Sequence, residues 1–211
     1  QPAVKKVVRL KDGRILNRYW DRRDVPREEM FRDDVETARR TDRPEPVVYR
    51  HLRSAAESGW DFSSRWFSDP HDLSTIHTTD IIPVDLNALL YNMERLLERI
   101  YRLEGDDEQA NLFLQRADDR REAVLTYCWD EELGFFMDYD FVEDAPTGVL
   151  SLAGAFPLFF RMVSDGIKAD RTAARIDSSF LQPGGVVTTV YITGQQWDAP
   201  NGWAPLQWIT I

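Results

Sequence analysis

The stretch SGWDFSSRW, residues 58–66, places one carboxylate among aromatic side chains at the end of a predicted helix. Asp61 follows Trp60 and precedes Phe62, and Trp66 comes five positions later. Rings around a carboxyl group lower the local polarity, which disfavours the charged form and raises the pKa. A carboxyl group that stays protonated near neutral pH is a general acid. Taken alone, the stretch also fits an aspartate that caps a turn beside ordinary aromatic core residues.

A second cluster, GQQWDAPNGWAPLQW at residues 194–208, combines three tryptophans with three glutamines, an aspartate and an asparagine. Glycine and proline interrupt it, which predicts a loop that leads into a helix. Aromatic faces suit the apolar side of a sugar ring, and amides and carboxylates suit its hydroxyl groups. Because tryptophan is also typical of protein interfaces, the residue types leave a sugar site and an aromatic interface open.

A third cluster, NRYWDRRDVPREE at residues 17–29, ends in Arg27, Glu28 and Glu29 directly after Pro26. Proline followed by acidic residues predicts the start of a helix. Arg27 and Glu29 could bind hydroxyl groups or orient another carboxylate. The alternative is a surface charge cluster at the helix start.

Several other classes of site lack support in the sequence. His51, His71 and His77 do not have the HxxxH spacing of a zinc site, and Cys128 is alone, so that we expect no metal site and no disulfide bond within the chain. No GxSxG or GxxxxGK[ST] motif is present, which argues against serine hydrolases and nucleotide-binding proteins. We therefore expect no cofactor.

The composition indicates a globular protein, since 43% of the 211 residues are hydrophobic. A formal net charge of -10 argues against a nucleic-acid partner, because such binding requires clustered lysine and arginine. No stretch approaches the roughly 18 apolar residues of a membrane span, so that no membrane partner is expected.

Helical periodicity dominates the chain. Apolar residues at helical spacing begin after Pro83 and end before Gly105, and a second helix follows from about Asp106 to Cys128, which predicts an antiparallel hairpin. Further helices are predicted after Pro26, at residues 46–58, at 149–164 with a bend at Pro157, at 167–181 and from 204 onward. Short β segments are predicted at 7–16, with an Asp-Gly turn and no preceding partner, at 134–141 and at 184–194.

The three clusters, together with SAAESGWDFSSRW, TTDIIPVDLNALLY and LQPGG, resemble the trehalases of glycoside hydrolase family 37. The resemblance covers essentially the whole chain and rests on GQQWDAPNGWAP, which fits the family's QWDxPxGWxP signature. It implies an all-α fold, an (α/α)6 toroid of helical hairpins with short β-hairpins in the loops. The implied reaction is hydrolysis of α,α-trehalose to two glucose molecules with inversion, without a cofactor.

The resemblance also implies roles for individual residues. Asp61 falls at the position of the general acid, and the carbonyl of Gly59 at a contact to a sugar hydroxyl. Substrate contacts are expected from the RxE segment and the tryptophan-rich loop: Arg27, Glu28, Glu29, Trp197, Asp198, Asn201 and Trp203.

The chain departs from the family pattern in three ways. The family's other signature would precede residue 1, and its general-base glutamate would follow residue 211, so that residues 1–211 are expected to be the central segment of one catalytic domain, about half of the toroid. His77 stands where relatives commonly carry arginine. Asp80, Asp138 and Asp140 lie near loops, and none is favoured as a substitute base.

These departures leave alternatives to an active enzyme. They are an inactive sugar-binding module or fragment, a toroid glycosidase for another α-glucoside, and a helical interaction scaffold. We expect the segment alone to be inactive or nearly so, and the full-length protein to be a monomer. The periplasm is slightly favoured over the cytoplasm.

Overall fold

The computed structural model describes residues 2–211 and is mainly helical. Seven α-helices are found in this part of the chain: α1 Phe31–Arg39, α2 Glu45–Ser58, α3 Val84–Glu104, α4 Asp107–Tyr127, α5 Phe156–Phe159, α6 Gly166–Ser179 and α7 Ala204–Thr210. Short strands lie before α1 and in the segments that connect the later helices: β1 Ala3–Val4, β2 Val7–Arg9, β3 Ile15–Asn17, β4 Ile81–Ile82, β5 Trp129–Asp130, β6 Phe135–Phe136, β7 Tyr139–Asp140, β8 Ala145–Pro146, β9 Leu181–Gln182 and β10 Gly185–Val186. All strand pairs are antiparallel, in the orders β1-β2-β3, β4-β7-β8, β5-β6 and β9-β10.

The predicted hairpin of two long helices is confirmed in α3 and α4. Gly105 ends α3 in the left-handed conformation, with a φ of 80° that a residue without a Cβ atom adopts at little cost. The Asp106 side chain then accepts a hydrogen bond from the backbone N–H of Gln109 and caps α4. Local signals thus fix both ends of the tight turn.

Helix α2 ends at Gly59, as predicted, and directs the chain into the segment that carries Asp61. Gly59 has a φ of 78°, and no atom lies within 4 Å of the place where a Cβ would stand. The inner face of α2 includes the fully buried Val48, Leu52 and Ala55. Their burial in the core fixes the helix that positions Asp61.

Two predicted helices differ in the structure. The helix expected directly after Pro26 begins at Phe31, because the Asp34 side chain accepts hydrogen bonds from both the backbone and the guanidinium group of Arg27 and holds the intervening residues in a turn. The prediction of one bent helix at 149–164 is wrong. A 3-10 turn at 152–155 leads into the four-residue α5, and Pro157 lies in the first turn of α5, where its missing N–H is not needed.

The β segments are shorter than the sequence predicts. Strand β2 has a preceding partner in β1, contrary to the expectation for residues 7–16. In the segment 184–194 only Gly185–Val186 forms a strand. Thr188 and Thr189 are buried. The Thr188 carbonyl accepts from the backbone N–H of Leu152, and Thr189 forms an isolated β-bridge with Ser151. Within residues 2–211, no helix has both the length and the apolar character needed to cross a lipid bilayer.

Candidate active site

Asp61 lies in the Asp61 loop, which we define as residues 60–66, directly after the end of α2. Its side chain is half-buried, and a cis peptide bond joins it to Phe62. Trp60 and Trp66 on either side of it are buried, and the indole N–H of Trp66 donates to the carbonyl of Trp60 at 3.1 Å. The loop is therefore anchored in the core by its tryptophans, while Asp61 remains accessible.

A second segment, the tryptophan loop at residues 194–203, packs against the Asp61 loop. The ring centroids of Trp60 and Trp197 are 5.1 Å apart, and those of Trp197 and Trp203 are 4.9 Å apart, with planes inclined by 29° and 19°. These three rings form the tryptophan stack. The backbone N–H of Trp197 also donates to the carbonyl of Phe62 at 2.9 Å. The structure thus brings together two clusters that are more than a hundred residues apart in sequence.

Asp198 is fully buried at the junction of these two loops. Its carboxylate accepts hydrogen bonds from the hydroxyl groups of Ser63 and Ser64, from the backbone N–H of Ser64, and from the hydroxyl groups of Thr189 and Thr193. A carboxylate that is saturated by protein donors has no free edge toward solvent. The burial of Asp198 therefore favours a structural position over the expected direct contact to a sugar.

The RxE segment also reaches the Asp61 loop. The Arg27 guanidinium lies 4.8 Å from the ring centroid of Phe62, and Asp34 holds it through hydrogen bonds of 3.1 Å to Nε and 2.7 Å to Nη2. Arg27 and Asp34 are both buried. Glu28 and Glu29 are exposed. The Glu28 side chain accepts from Arg23 at 2.7 Å, and a hydrogen bond from its own backbone, together with neighbouring arginines, lowers the pKa of Glu28.

The exposed rim of the site includes Gly59 and Asn201. At Gly59, no atom lies within 4 Å of the position that a Cβ would occupy, so that this side of the residue has free space. The Asn201 carbonyl accepts from the backbone N–H of Thr188 at 3.0 Å, and its amide nitrogen donates to the carbonyl of Gln195 at 3.3 Å. The tryptophan loop thus presents Asn201 on a fixed backbone.

A buried charge cluster beneath Trp60 is absent from the sequence predictions. The Arg65 guanidinium lies 4.5 Å from the ring centroids of both Trp60 and Trp66. It donates four hydrogen bonds, at 2.6 and 2.8 Å to Asp85 and at 2.6 and 2.8 Å to Asp138. Burial acts to lower the pKa of Arg65, but the carboxylates of Asp138 and Asp85 outweigh burial and raise it. Asp138 is therefore occupied as a partner of Arg65.

Asp80 and Asp140, the two remaining acids near loops, line a separate cleft of about 750 Å³ together with His77. His77 Nδ1 lies 3.1 Å from the Asp140 carboxylate. Burial, and then the charge of Asp140, raise the pKa of Asp80. Burial also acts to raise the pKa of Asp140, but the hydrogen bonds from His77 and from the backbone N–H groups of Glu143 and Val142 together outweigh burial and lower it. Within the described residues, no group of three or more histidine, cysteine, aspartate or glutamate side chains is arranged to hold a metal ion.

Comparison with known proteins identifies relatives along the whole chain. The family model described as trehalase matches residues 1–211. A periplasmic trehalase of Citrobacter koseri is 50% identical over 206 residues, which is 97% of this chain and 36% of that protein. The chain therefore spans about a third of the length of the curated relative it matches.

Solved structures share the fold at lower identity. Neutral trehalase Nth1 from Saccharomyces cerevisiae matches with a TM-score of 0.69 and 23% identity, over 87% of this chain and 34% of that one. A GH63 mannosylglycerate hydrolase from Thermus thermophilus matches with a TM-score of 0.56 and 20% identity, over 83% of this chain and 43% of that one. The predicted fold class, helical hairpins of an (α/α)6 toroid, is confirmed by these likenesses.

Proposed function

The chain belongs to the trehalase family, and on that premise we propose that it forms the acid-bearing central segment of an enzyme that hydrolyses α,α-trehalose to two glucose molecules with inversion. One observation carries the proposal beyond family membership. The half-buried Asp61 lies next to the stack of Trp60, Trp197 and Trp203, so that a carboxyl group adjoins an aromatic platform of the kind that binds sugar rings.

In the proposed reaction Asp61 is the general acid. It donates its proton to the glycosidic oxygen as the bond to the anomeric carbon breaks, and the departing glucose keeps that proton in its new hydroxyl group. A water molecule attacks the anomeric carbon from the opposite face after it loses a proton to a general base. Inverting enzymes hold the two carboxyl groups roughly 6.5 to 9.5 Å apart, which leaves room for that water. We assign the base to a glutamate outside these 211 residues.

The other proposed roles concern binding. The faces of Trp197 and Trp203 would pack against the CH side of a glucose ring, with Asn201 as a hydrogen-bond partner beside them. The Arg27 guanidinium, oriented by Asp34 against Phe62, would donate to sugar hydroxyls.

Glu28 and Glu29, which are exposed next to Arg27, and the carbonyl of the exposed Gly59 would accept hydrogen bonds from sugar hydroxyls. We further propose a periplasmic location, which the name of the Citrobacter relative supports, and a monomeric full-length protein.

The test is proton NMR of α,α-trehalose incubated with the 211-residue protein and with the full product of its gene, each with its intact mass recorded. Inverting hydrolysis releases α- and β-glucose in equal initial amounts. In the full gene product, we expect Asp61→Asn to lower the turnover of trehalose by about 10²- to 10⁴-fold, the usual contribution of a general acid. Asp69→Asn, which changes an exposed carboxylate on a nearby loop, is the control and should retain activity.

Other outcomes contradict the proposal. Release of a single anomer would exclude inversion, and full activity of Asp61→Asn would exclude Asp61 as the acid. Trehalose binding without turnover by the full gene product would support the alternative of an inactive sugar-binding protein.

A further inference from the structure

We propose that Asp198 is a positioning residue that holds the Asp61 loop and the tryptophan loop in register. The inference rests on the proposed function only in naming Asp61 as the acid and the tryptophan stack as the sugar platform. It replaces the expected role of Asp198 as a sugar contact.

The hydrogen bonds of Asp198 join two parts of the chain that are more than a hundred residues apart in sequence. Oδ1 accepts from the hydroxyl groups of Ser63, Ser64 and Thr189, each at 2.9 Å. Oδ2 accepts from the backbone N–H of Ser64 at 2.9 Å and from the hydroxyl group of Thr193. The carboxylate therefore links the Asp61 loop, the segment at 189–193 and its own tryptophan loop at one point.

The environment of Asp198 argues against a direct hydrogen bond between its carboxylate and a sugar hydroxyl. The residue is 0% exposed, and its five donors are four hydroxyl groups and one backbone N–H. A sugar hydroxyl could reach the carboxylate only by displacing one of these donors, which would then be buried without a partner at a cost of about 1–3 kcal/mol.

Because Asp198 directly follows Trp197, its hydrogen bonds also fix the tryptophan stack and, through that stack, the segment that carries Asp61. Its neighbour Trp197 stacks on Trp60 and donates its backbone N–H to the carbonyl of Phe62. Asp61 lies between Trp60 and Phe62 in the sequence. Loss of the carboxylate would release the two loops together. A displacement of about 1 Å at a reacting group is enough to lower a rate about 10²-fold.

The first experiment measures the geometry without reference to catalysis. Stacked indoles couple their electronic transitions and produce an exciton band in circular dichroism. In Asp198→Asn the side-chain NH2 group faces the hydroxyl and N–H donors of its partners. We expect this variant to lower the band toward that of Trp197→Leu, which removes the central ring and with it both stacked pairs. Asp130→Asn removes a carboxylate that accepts a backbone hydrogen bond in the turn between β5 and β6, and should leave the band unchanged. An unchanged band in folded Asp198→Asn would overturn the proposal.

Two further measurements keep the proposal testable. If Asp198→Asn does not fold, Ser63→Ala and Thr193→Val each remove one donor, and both should lower the band; an unchanged band in both would overturn the proposal. In a preparation that hydrolyses trehalose, a positioning residue predicts that kcat falls about 10²-fold with KM and the pH profile nearly unchanged. A raised KM with unchanged kcat would instead indicate a sugar contact. Absence of turnover in the unmutated full gene product would count against the proposed function alone, because the exciton band tests Asp198 independently.

Discussion

Acidification from pH 7 to pH 5 should destabilise the protein through one buried histidine. His51 lies on the inner face of α2 and is 4% exposed. Its Nδ1 accepts a hydrogen bond from the backbone N–H of Thr79 at 3.2 Å, which fits a neutral ring. Burial, and then the nearby charges of Arg43, His77, Arg18 and Arg50, lower the pKa of His51 from 6.5 to about 3.

The sign of the effect follows from the direction of this shift. The unfolded chain binds a proton at His51 near pH 6.5, whereas the folded protein does so only near pH 3. The contribution of His51 to stability is complete above pH 6.5 and is lost progressively as the pH falls from 6.5 toward 3. Proton linkage gives a loss of about 2 kcal/mol in the free energy of unfolding between pH 7 and pH 5.

Urea denaturation at both pH values measures this loss. His51→Asn keeps a side-chain oxygen that can accept from Thr79 but cannot bind a proton in this range. We expect the pH-dependent loss to be smaller in this variant than in the unmutated protein by about 2 kcal/mol. His71→Asn, which changes an exposed histidine, should show the loss of the unmutated protein. Equal losses in His51→Asn and in the unmutated protein would refute the argument.

Two more predictions concern stability around the site. Arg65→Met leaves the buried carboxylates of Asp85 and Asp138 without their cation, and we expect the free energy of unfolding to fall by about 3–5 kcal/mol, measured in urea; a loss below about 1 kcal/mol, the value typical of an exposed ion pair, would contradict a buried role. Gly59→Ala and Gly105→Ala each force a Cβ atom into a left-handed helix end, at a cost of about 1–2 kcal/mol. Only Gly59→Ala should also change the tryptophan exciton band, and an equal change in Gly105→Ala would show that the band does not report on the site.

The long helices could be predicted because their ends depend on neighbouring residues. Gly59 and Gly105 adopt the left-handed conformation that ends a helix, and Asp106 caps the next one through its own side chain. These signals lie within a few residues of the structure they determine. Sequence alone was therefore sufficient to place α2, α3 and α4.

The errors arise where a distant or tertiary contact outweighs the local pattern. After Pro26, the Asp34 carboxylate competes for the backbone N–H of Arg27, so that the helix begins only at Phe31. At 149–164 the apolar run suggests one buried helix. The backbone N–H of Leu152 donates instead to the carbonyl of Thr188, and this non-helical hydrogen bond keeps the segment out of α-helix until residue 156.

The candidate site was predicted in its residue types and only partly in its contacts. The tryptophan-rich segments could be recognised from composition, and they do meet in the tryptophan stack. The partners of Arg65 could not be predicted, because Asp85 and Asp138 lie 20 and 73 positions away along the chain. The only signal is an arginine between serine and tryptophan, which has no periodic pattern.

Three groups of buried carboxylates explain why so many polar residues surround Asp61. Asp34 orients Arg27, Asp85 and Asp138 fix Arg65 beneath Trp60, and Asp198 joins the two loops. Each anion is costly to bury and is stable only with its full set of donors, so that each defines one arrangement of the side chains around it. Apolar residues of suitable volume would fill the same space but would tolerate small displacements. A general acid has to meet a glycosidic oxygen at hydrogen-bond distance, and these anions hold its surroundings in place before the substrate arrives.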